Sequence, residues 1–257
     1  MTTPGENYPI LEFDPSREAV IVPAPRPLPA MPQYAVLCFF QDVIAHLCHD
    51  HGARAIATLQ SDTELGPHRL YEVALDGRNL AVFHPGVGAP LAAALLEEVI
   101  ALGARTLIAC GGGGVLDPLL PVGHLILPTA AIRDEGTSYH YLPPAREVAA
   151  NAAGVAALSK TLRRHDVPYT LGKTWTTDAF YRETPAKVIR RREEGCLVVE
   201  MEAAALLAVA QFRGVTLAQI LYAGGDSSGQ TWDDRSWERH EGRERLFWLA
   251  AEACLSL

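Results

Sequence analysis

Disulfide spacing, basic clusters and membrane-length apolar runs are all missing from this chain. The five cysteines, Cys38, Cys48, Cys110, Cys196 and Cys254, are odd in number, show no C-x-x-C spacing, and several sit in apolar runs. They read as reduced, buried thiols of a cytoplasmic protein and not as a disulfide framework. Lys and Arg number 22 against 30 Asp and Glu, a formal net charge of -8. Nucleic-acid backbones and anionic membranes reward clustered Lys and Arg, so neither is expected as a partner. No segment is apolar for long enough to span a bilayer, and Met1 to Pro9 lacks the basic start and apolar centre of a signal or transit peptide. A G-x-G-x-x-G run ahead of a helix and a Gly-Lys-Ser/Thr loop are absent, which excludes the dinucleotide fingerprint and the P-loop. His46, Cys48, His49 and His51 share one helix but lack i,i+4 histidine pairing and a matching acid cluster, so no metal site is expected. A small organic ligand is the class left standing.

What is present suits one α/β domain. The chain has 257 residues, 49% hydrophobic and 20% charged, with no internal repeat and no low-complexity linker. We expect a single domain over 1–257, its first 34 residues irregular apart from a short strand, Ala19 to Val22, ahead of the Pro-rich stretch Pro23 to Pro32. Strands are expected at Ala35–Phe40, Arg54–Leu59, Leu125–Ile132, Tyr169–Thr177, Cys196–Val199 and Val215–Ala223, with a hairpin of Tyr71–Leu75 and Asn79–His84 about Asp76-Gly77. Apolar spacing predicts helices over Gln41–His51, Pro90–Leu102, Asn151 to about Arg164, Pro185–Glu194, Met201–Arg213 and Glu238–Leu255. A further strand, Arg105 to Cys110, is expected to stop at the glycine loop Gly111-Gly112-Gly113-Gly114. Alternation of this kind predicts a mixed sheet between helix layers.

Ligands of such sheets gather where loops leave the carboxyl ends of strands. Val198-Val199-Glu200-Met201-Glu202-Ala203 lies at one such end, and it puts two acids into an apolar run. Buried carboxylates demand partners, so Glu200 and Glu202 suggest a pocket for hydroxyls or cations. Three glycine-rich turns sit at other strand ends: Gly86-Val87-Gly88, the run from Gly111 to Gly114, and Gly224-Gly225 followed by Asp226. Four consecutive glycines let backbone amides turn towards an anion or a ligand ring. Trp175 to Tyr181 adds aromatics beside polar groups at a further strand end. Asp178, Phe180 and Asp226 taken singly each suit a turn or a core; with Glu200 and Glu202 they suggest a site. Glu238 through Arg245 reads as a solvated helix start and face, and Trp232 and Trp237 as packing for that helix.

In order, Gly86-x-Gly88-x-Pro90, Glu97-Glu98, Ala101 to Thr106, Gly111 to Gly114, Val122-Gly123-His124, Arg133-Asp134-x-Gly136-Thr137-Ser138, Thr177-Asp178-x-Phe180-Tyr181 and Val199-Glu200-Met201-Glu202-Ala203-Ala204 resemble the nucleoside phosphorylase-I superfamily of phosphorylases and nucleosidases. The resemblance implies a three-layer αβα sandwich with a mixed, partly barrel-like central sheet, and homodimers or hexamers built as trimers of dimers. It implies that Glu202 holds the ribose 2′- and 3′-hydroxyls, Met201 packs on the sugar, Glu200 supports them, Phe180 lines the base pocket, and Asp226 protonates or hydrogen-bonds a purine N7. Gly88, Gly111, Gly112 and Gly113 would then frame the phosphate or nucleophile pocket, joined by Arg26 of an eroded Pro-x-x-Arg loop and by Arg69, which would reach a neighbouring subunit's site.

Two departures bear on the reaction. The Arg that binds phosphate on the strand before the glycine loop is here Ala109, and the Ser or Thr that follows it is Gly112-Gly113. The resemblance therefore leads us to expect a cytoplasmic enzyme that splits the N-glycosidic bond of a purine or modified nucleoside. Phosphate is the nominal co-substrate, no other cofactor is involved, and water is the rival acceptor. A non-catalytic nucleoside binder is the remaining alternative.

Overall fold

Apolar residues alternate along the central strands, and the alternation divides them between two cores. The structure, a computed structural model, describes residues 8–23, 28, 31–59, 66–229, 231–235 and 240–257. In chain order the elements are β1 (Tyr34–Cys38), α1 (Gln41–Asp50), β2 (Arg54–Leu59), β3 (His68–Leu75), β4 (Arg78–Phe83), α2 (Ala89–Leu102), β5 (Thr106–Val115), β6 (Leu125–Asp134), β7 (Glu147–Ala149), α3 (Ala152–Arg164), β8 (Tyr169–Thr177), α4 (Pro185–Glu193), β9 (Cys196–Glu200), α5 (Ala203–Arg213), β10 (Thr216–Asp226) and α6 (His240–Leu255). Val36 and Cys38 of β1, Ile108 and Cys110 of β5 and Ile220 of β10 pack with α1, α3 and α6. Ala35, Leu37, Leu107, Ala109 and Leu217 point the other way, into a core shared with α2 and α5. A period of two on each strand is what puts a helix layer on both faces.

The strands form one mixed sheet in the order β10-β6-β8-β9-β5-β1-β4-β3-β2, with β7 added to β6. A further pairing of β10 with β5 closes β10, β6, β8, β9 and β5 into a five-stranded barrel. The fold is thus a three-layer αβα arrangement whose sheet is part open and part barrel, as the resemblance implied.

β5 shows how the sheet changes partner. Its first half, Thr106 to Cys110, runs parallel to β1, and its end, Gly114 and Val115, runs antiparallel to β9. Gly111 to Gly114 are therefore strand and not a loop, because β10 carries the ladder past them as far as Gly113. Their lack of side chains permits close approach: a Cβ on Gly113 would stand 3.1 Å from Val198, and one on Gly114 3.0 Å from Val199.

Most other expectations hold to within a few residues. The Asp76-Gly77 hairpin has positive φ at both positions, 50° and 75°, as its turn requires. Asn151 caps α3 by accepting from the Gly154 amide. The expected strand at Ala19 to Val22 does not form; Val20 and Ile21 lie exposed with no strand partner. Cys48 is exposed, unlike the four buried thiols. No helix among the described residues is long and apolar enough to cross a membrane.

Candidate active site

β9 ends on Glu200, and the chain turns into α5 with Glu202 as its N-cap residue. Glu200 is buried, and four donors converge on it: the Glu202 and Ala203 amides at 2.8 and 2.6 Å on one oxygen, the Thr176 and Thr174 hydroxyls at 2.6 and 3.3 Å on the other. It thus satisfies amides at the start of α5 and ties them to β8. Thr176 completes the tie by accepting from the Ala204 amide at 2.9 Å. Burial pushes the Glu200 carboxyl upward, against the pull of these donors.

Glu202 sits two residues on, 6% exposed. Its Oε1 accepts from the Gly88 amide at 2.6 Å and its Oε2 from the Met201 amide at 3.2 Å. Burial and the neighbouring Glu200 charge push its carboxyl up to about 8, opposed by the two amides. Gly88 can present its amide this way because its φ of 92° suits only glycine. The turn is tight: a Cβ on Gly86 would fall 2.3 Å from the Leu91 side chain.

A cavity of about 800 Å³ opens above the β5 glycines. Gly112, Gly113, Gly114 and Val199 form its floor, and His84, which opens the turn that carries Gly88, forms one side. Phe39 and Phe40, in the connection between β1 and α1, and Tyr222 of β10 supply aromatic walls. Asp42, Asp234 and Arg243 bring charge, and Trp232, 69% exposed, stands at the edge. Burial lowers the His84 pKa, and its Nδ1 accepts from the Gly86 amide, so the ring is neutral and fixed. The volume lies in the range of small-molecule pockets.

The structure brings some expected residues together and separates others. Glu200, Met201, Glu202 and Gly88 are joined by hydrogen bonds just beyond Val199, which lines the cavity; Gly112 and Gly113 pave its floor, with Gly111 packed beneath the Phe39 ring. Asp226, at the end of β10, is bound in a different way: Arg235 donates to its Oδ2 at 2.6 Å and the Ser228 amide to its Oδ1 at 2.7 Å. Burial would raise this carboxyl, but the Ser228 and Arg235 hydrogen bonds outweigh it and hold Asp226 below the usual range, ionised at neutral pH. Phe180 is half exposed in a short 3-10 turn after β8, its ring tilted against that of Tyr181 with centroids 4.1 Å apart. Asp178 anchors a loop through the Gly136 amide. Trp175 is fully buried beneath Arg191 and bonded to Asp134, a core residue and not a platform for a ligand ring.

Arg69 is exposed on β3, paired in register with Thr58. Arg26 and Trp237 lie outside the described residues. The connection that leaves β1 is Phe39-Phe40. Sequence reasoning missed Phe40, Asp42, Tyr222 and Arg243. They come from α1, β10, α6 and a connection far apart in the chain, and Arg243 had been assigned to a solvated face. Among the described residues no group of three His, Cys, Asp or Glu side chains is placed to hold a metal ion.

Known proteins resemble this chain in sequence and in fold. The family model described as "Phosphorylase superfamily" matches residues 33–253. A guanosine phosphorylase of Halorubrum lacusprofundi is 28% identical over 79% of this chain and 88% of its own length. A uridine phosphorylase of Salmonella typhimurium is 28% identical over 64% of this chain and 72% of its own. The crystal structure of purine nucleoside phosphorylase from Toxoplasma gondii in complex with immucillin-H superposes with a TM-score of 0.75 at 22% identity, covering 88% of this chain and 91% of that one. With buried acids at the end of β9, a five-stranded barrel and a family match across nearly the whole sequence, the chain belongs to the phosphorylase superfamily of nucleoside phosphorylases and nucleosidases.

Proposed function

We propose that this protein cleaves the N-glycosidic bond of a nucleoside, with phosphate as the acceptor. The observation that carries the reading is Glu202: a buried carboxyl with one oxygen on Gly88 and the other on Met201, three residues on from Val199 in the wall of a ligand-sized cavity. A carboxylate accepts two hydroxyl hydrogen bonds side by side, the geometry a ribose diol offers. In its ionised form, reached above about pH 8 in the unliganded protein, Glu202 also favours the positive charge that develops on the sugar as the base departs. Met201 packs on the sugar, and Glu200 acts through Glu202 and α5 without touching substrate.

In this reading Phe180 and Asp226 face the base. Asp226 is ionised by its hydrogen bonds from Ser228 and Arg235, so it serves first as an acceptor for a base N–H. Donation to the leaving nitrogen would require that it first gain a proton. The names of the relatives, a guanosine and a uridine phosphorylase, support phosphate as acceptor.

Hydrolysis is the second reading, favoured by one specific observation. Ala109 is fully buried and offers no cation, while two acids, Asp42 and Asp234, line the cavity. The experiment that separates them is base release from a nucleoside panel with and without phosphate. Phosphorolysis gives a sugar 1-phosphate and a rate that depends on phosphate; equal rates and free ribose establish hydrolysis; ligand-induced stabilisation without turnover identifies a binder. The assembly proposed with this function is a dimer or trimer of dimers, tested by light scattering, in which Arg69 would serve the adjoining site. No cofactor beyond phosphate and no metal is part of the proposal.

A further inference from the structure

Gly112 and Tyr222 are register partners in the β5–β10 ladder, and their packing is unusually close. A Cβ placed on Gly112 would lie 2.8 Å from Tyr222 Cζ and 3.0 Å from its hydroxyl oxygen. Carbon atoms do not approach so near, so a side chain at 112 and the phenol in its present place exclude one another. The space above the floor of the cavity is thus given to a phenol from β10 in place of a side chain from β5.

Arg243 of α6 reaches the same spot from the opposite wall. Its guanidinium stands 5.4 Å from the centre of the Phe40 ring, is hydrogen-bonded to Tyr222, and faces Asp42 Oδ2 across 3.4 Å. That last separation marks a loose ion pair, one that orients the guanidinium without enclosing it. Five N–H donors in a planar fork can serve these neighbours and an oxyanion together. The phenol oxygen accepts from Arg243, so its own proton is directed elsewhere. Burial raises the Tyr222 pKa against the opposing Arg243 charge, which keeps that proton in place as a donor. Among the described residues that line the cavity, Arg243 is the one cation.

We propose that Arg243 and Tyr222 form the binding site for the acceptor oxyanion, inorganic phosphate, above Gly112. The inference rests on the phosphorolytic reading above, and it supplies from α6 and β10 the donors that β5 lacks at Ala109 and Gly112. It also accounts for the glycine: Gly112 leaves room for the Tyr222 ring.

The test is calorimetric titration of the full-length protein with inorganic phosphate in the absence of nucleoside, so that binding is read without turnover. Parent protein should bind phosphate, Arg243→Met should weaken binding more than 10-fold, and Tyr222→Phe should weaken it about 3- to 10-fold, as expected for loss of one donor. Arg243→Lys should recover part of the affinity. Circular dichroism and melting curves identify a variant that has not folded, in which case Tyr222→Phe, which removes a single oxygen, decides the matter. Phosphate affinity unchanged in Arg243→Met and Tyr222→Phe overturns the proposal. So does a parent protein that splits nucleosides but binds no phosphate, which leaves the glycosidic reading in place. Phosphate binding that depends on Arg243 in a protein that cleaves no nucleoside upholds the anion site and overturns the enzymatic reading.

Discussion

The Gly88 amide donates to Glu202 Oε1 at 2.6 Å, joining two residues 114 positions apart in the chain. That bond fixes the turn entering α2 to the turn entering α5, and it orients a buried carboxyl. A hydroxyl pair arriving at Glu202 meets an acceptor already oriented by backbone, so little reorganisation is needed at the moment of reaction.

Glu202→Gln keeps the shape of the side chain and removes its capacity to ionise. We expect kcat/KM for ribonucleosides to fall by about 100-fold or more, the scale of losing one charge-stabilising group in an active site. Steady-state kinetics on the purified variant check this; a change under threefold would remove Glu202 from the mechanism.

The same carboxyl makes stability depend on pH in a direction that can be worked out. Its folded pKa is raised to about 8, so between the ordinary carboxylate range and about 8 the folded state holds a proton the unfolded state has lost. Stability contributed by this group is therefore present at low pH and declines as pH rises through that window. Melting temperature should fall less steeply between pH 5 and pH 8 in Glu202→Gln than in the parent, and the variant should melt higher at pH 8. Parallel curves would contradict the assignment.

Glu200 is a positioning residue, and its removal should show as instability. Glu200→Ala strands the Glu202 and Ala203 amides inside the protein together with two threonine hydroxyls. A loss of ~2–4 kcal/mol is expected, a drop in melting temperature of about 5–15 °C. Thermal denaturation measures it, and Glu200→Gln, which keeps one acceptor, should lose less.

Arg235 should set the acid side of the pH–rate profile. Its hydrogen bond to Asp226, second to those from Ser228, helps hold that carboxyl low, so Arg235→Met should raise the Asp226 pKa. If ionised Asp226 receives a base N–H, activity is lost as pH falls through its pKa, and the variant should lose it at a higher pH than the parent. An acid limb that stays in place would show that Asp226 does not titrate in catalysis.

Much of this was legible in the sequence, and the reasons differ by element. Asp76-Gly77, the Asn151 cap and the apolar alternation of β1 and β5 are local signals, read from neighbours alone. Glu200 and Glu202 were conspicuous because two acids in an apolar run must be satisfied somewhere. The glycines misled, because four in a row suggest a loop when nothing in the sequence shows that Tyr222, Val198 and Val199 press against them. Arg243 was hidden for a related reason: a charged residue in the first turns of an amphipathic helix looks like solvent-facing charge until the fold brings Tyr222 and Phe40 to it. The Asp226–Arg235 pair was equally invisible, since nothing in the intervening residues announces that the chain doubles back through the backbone bridge of Asp226 with Asp233.

The central claim is that Glu202 grips the diol of a nucleoside during cleavage of its glycosidic bond. It is tested most directly by measuring base release from matched ribo-, 2′-deoxyribo- and 3′-deoxyribonucleosides with the parent protein and with Glu202→Gln. The account predicts that the parent prefers the ribonucleoside by at least 10-fold in kcat/KM over either deoxy form, and that the preference collapses in the variant. Base release by the parent with no such preference, or a preference that survives in Glu202→Gln, would contradict it.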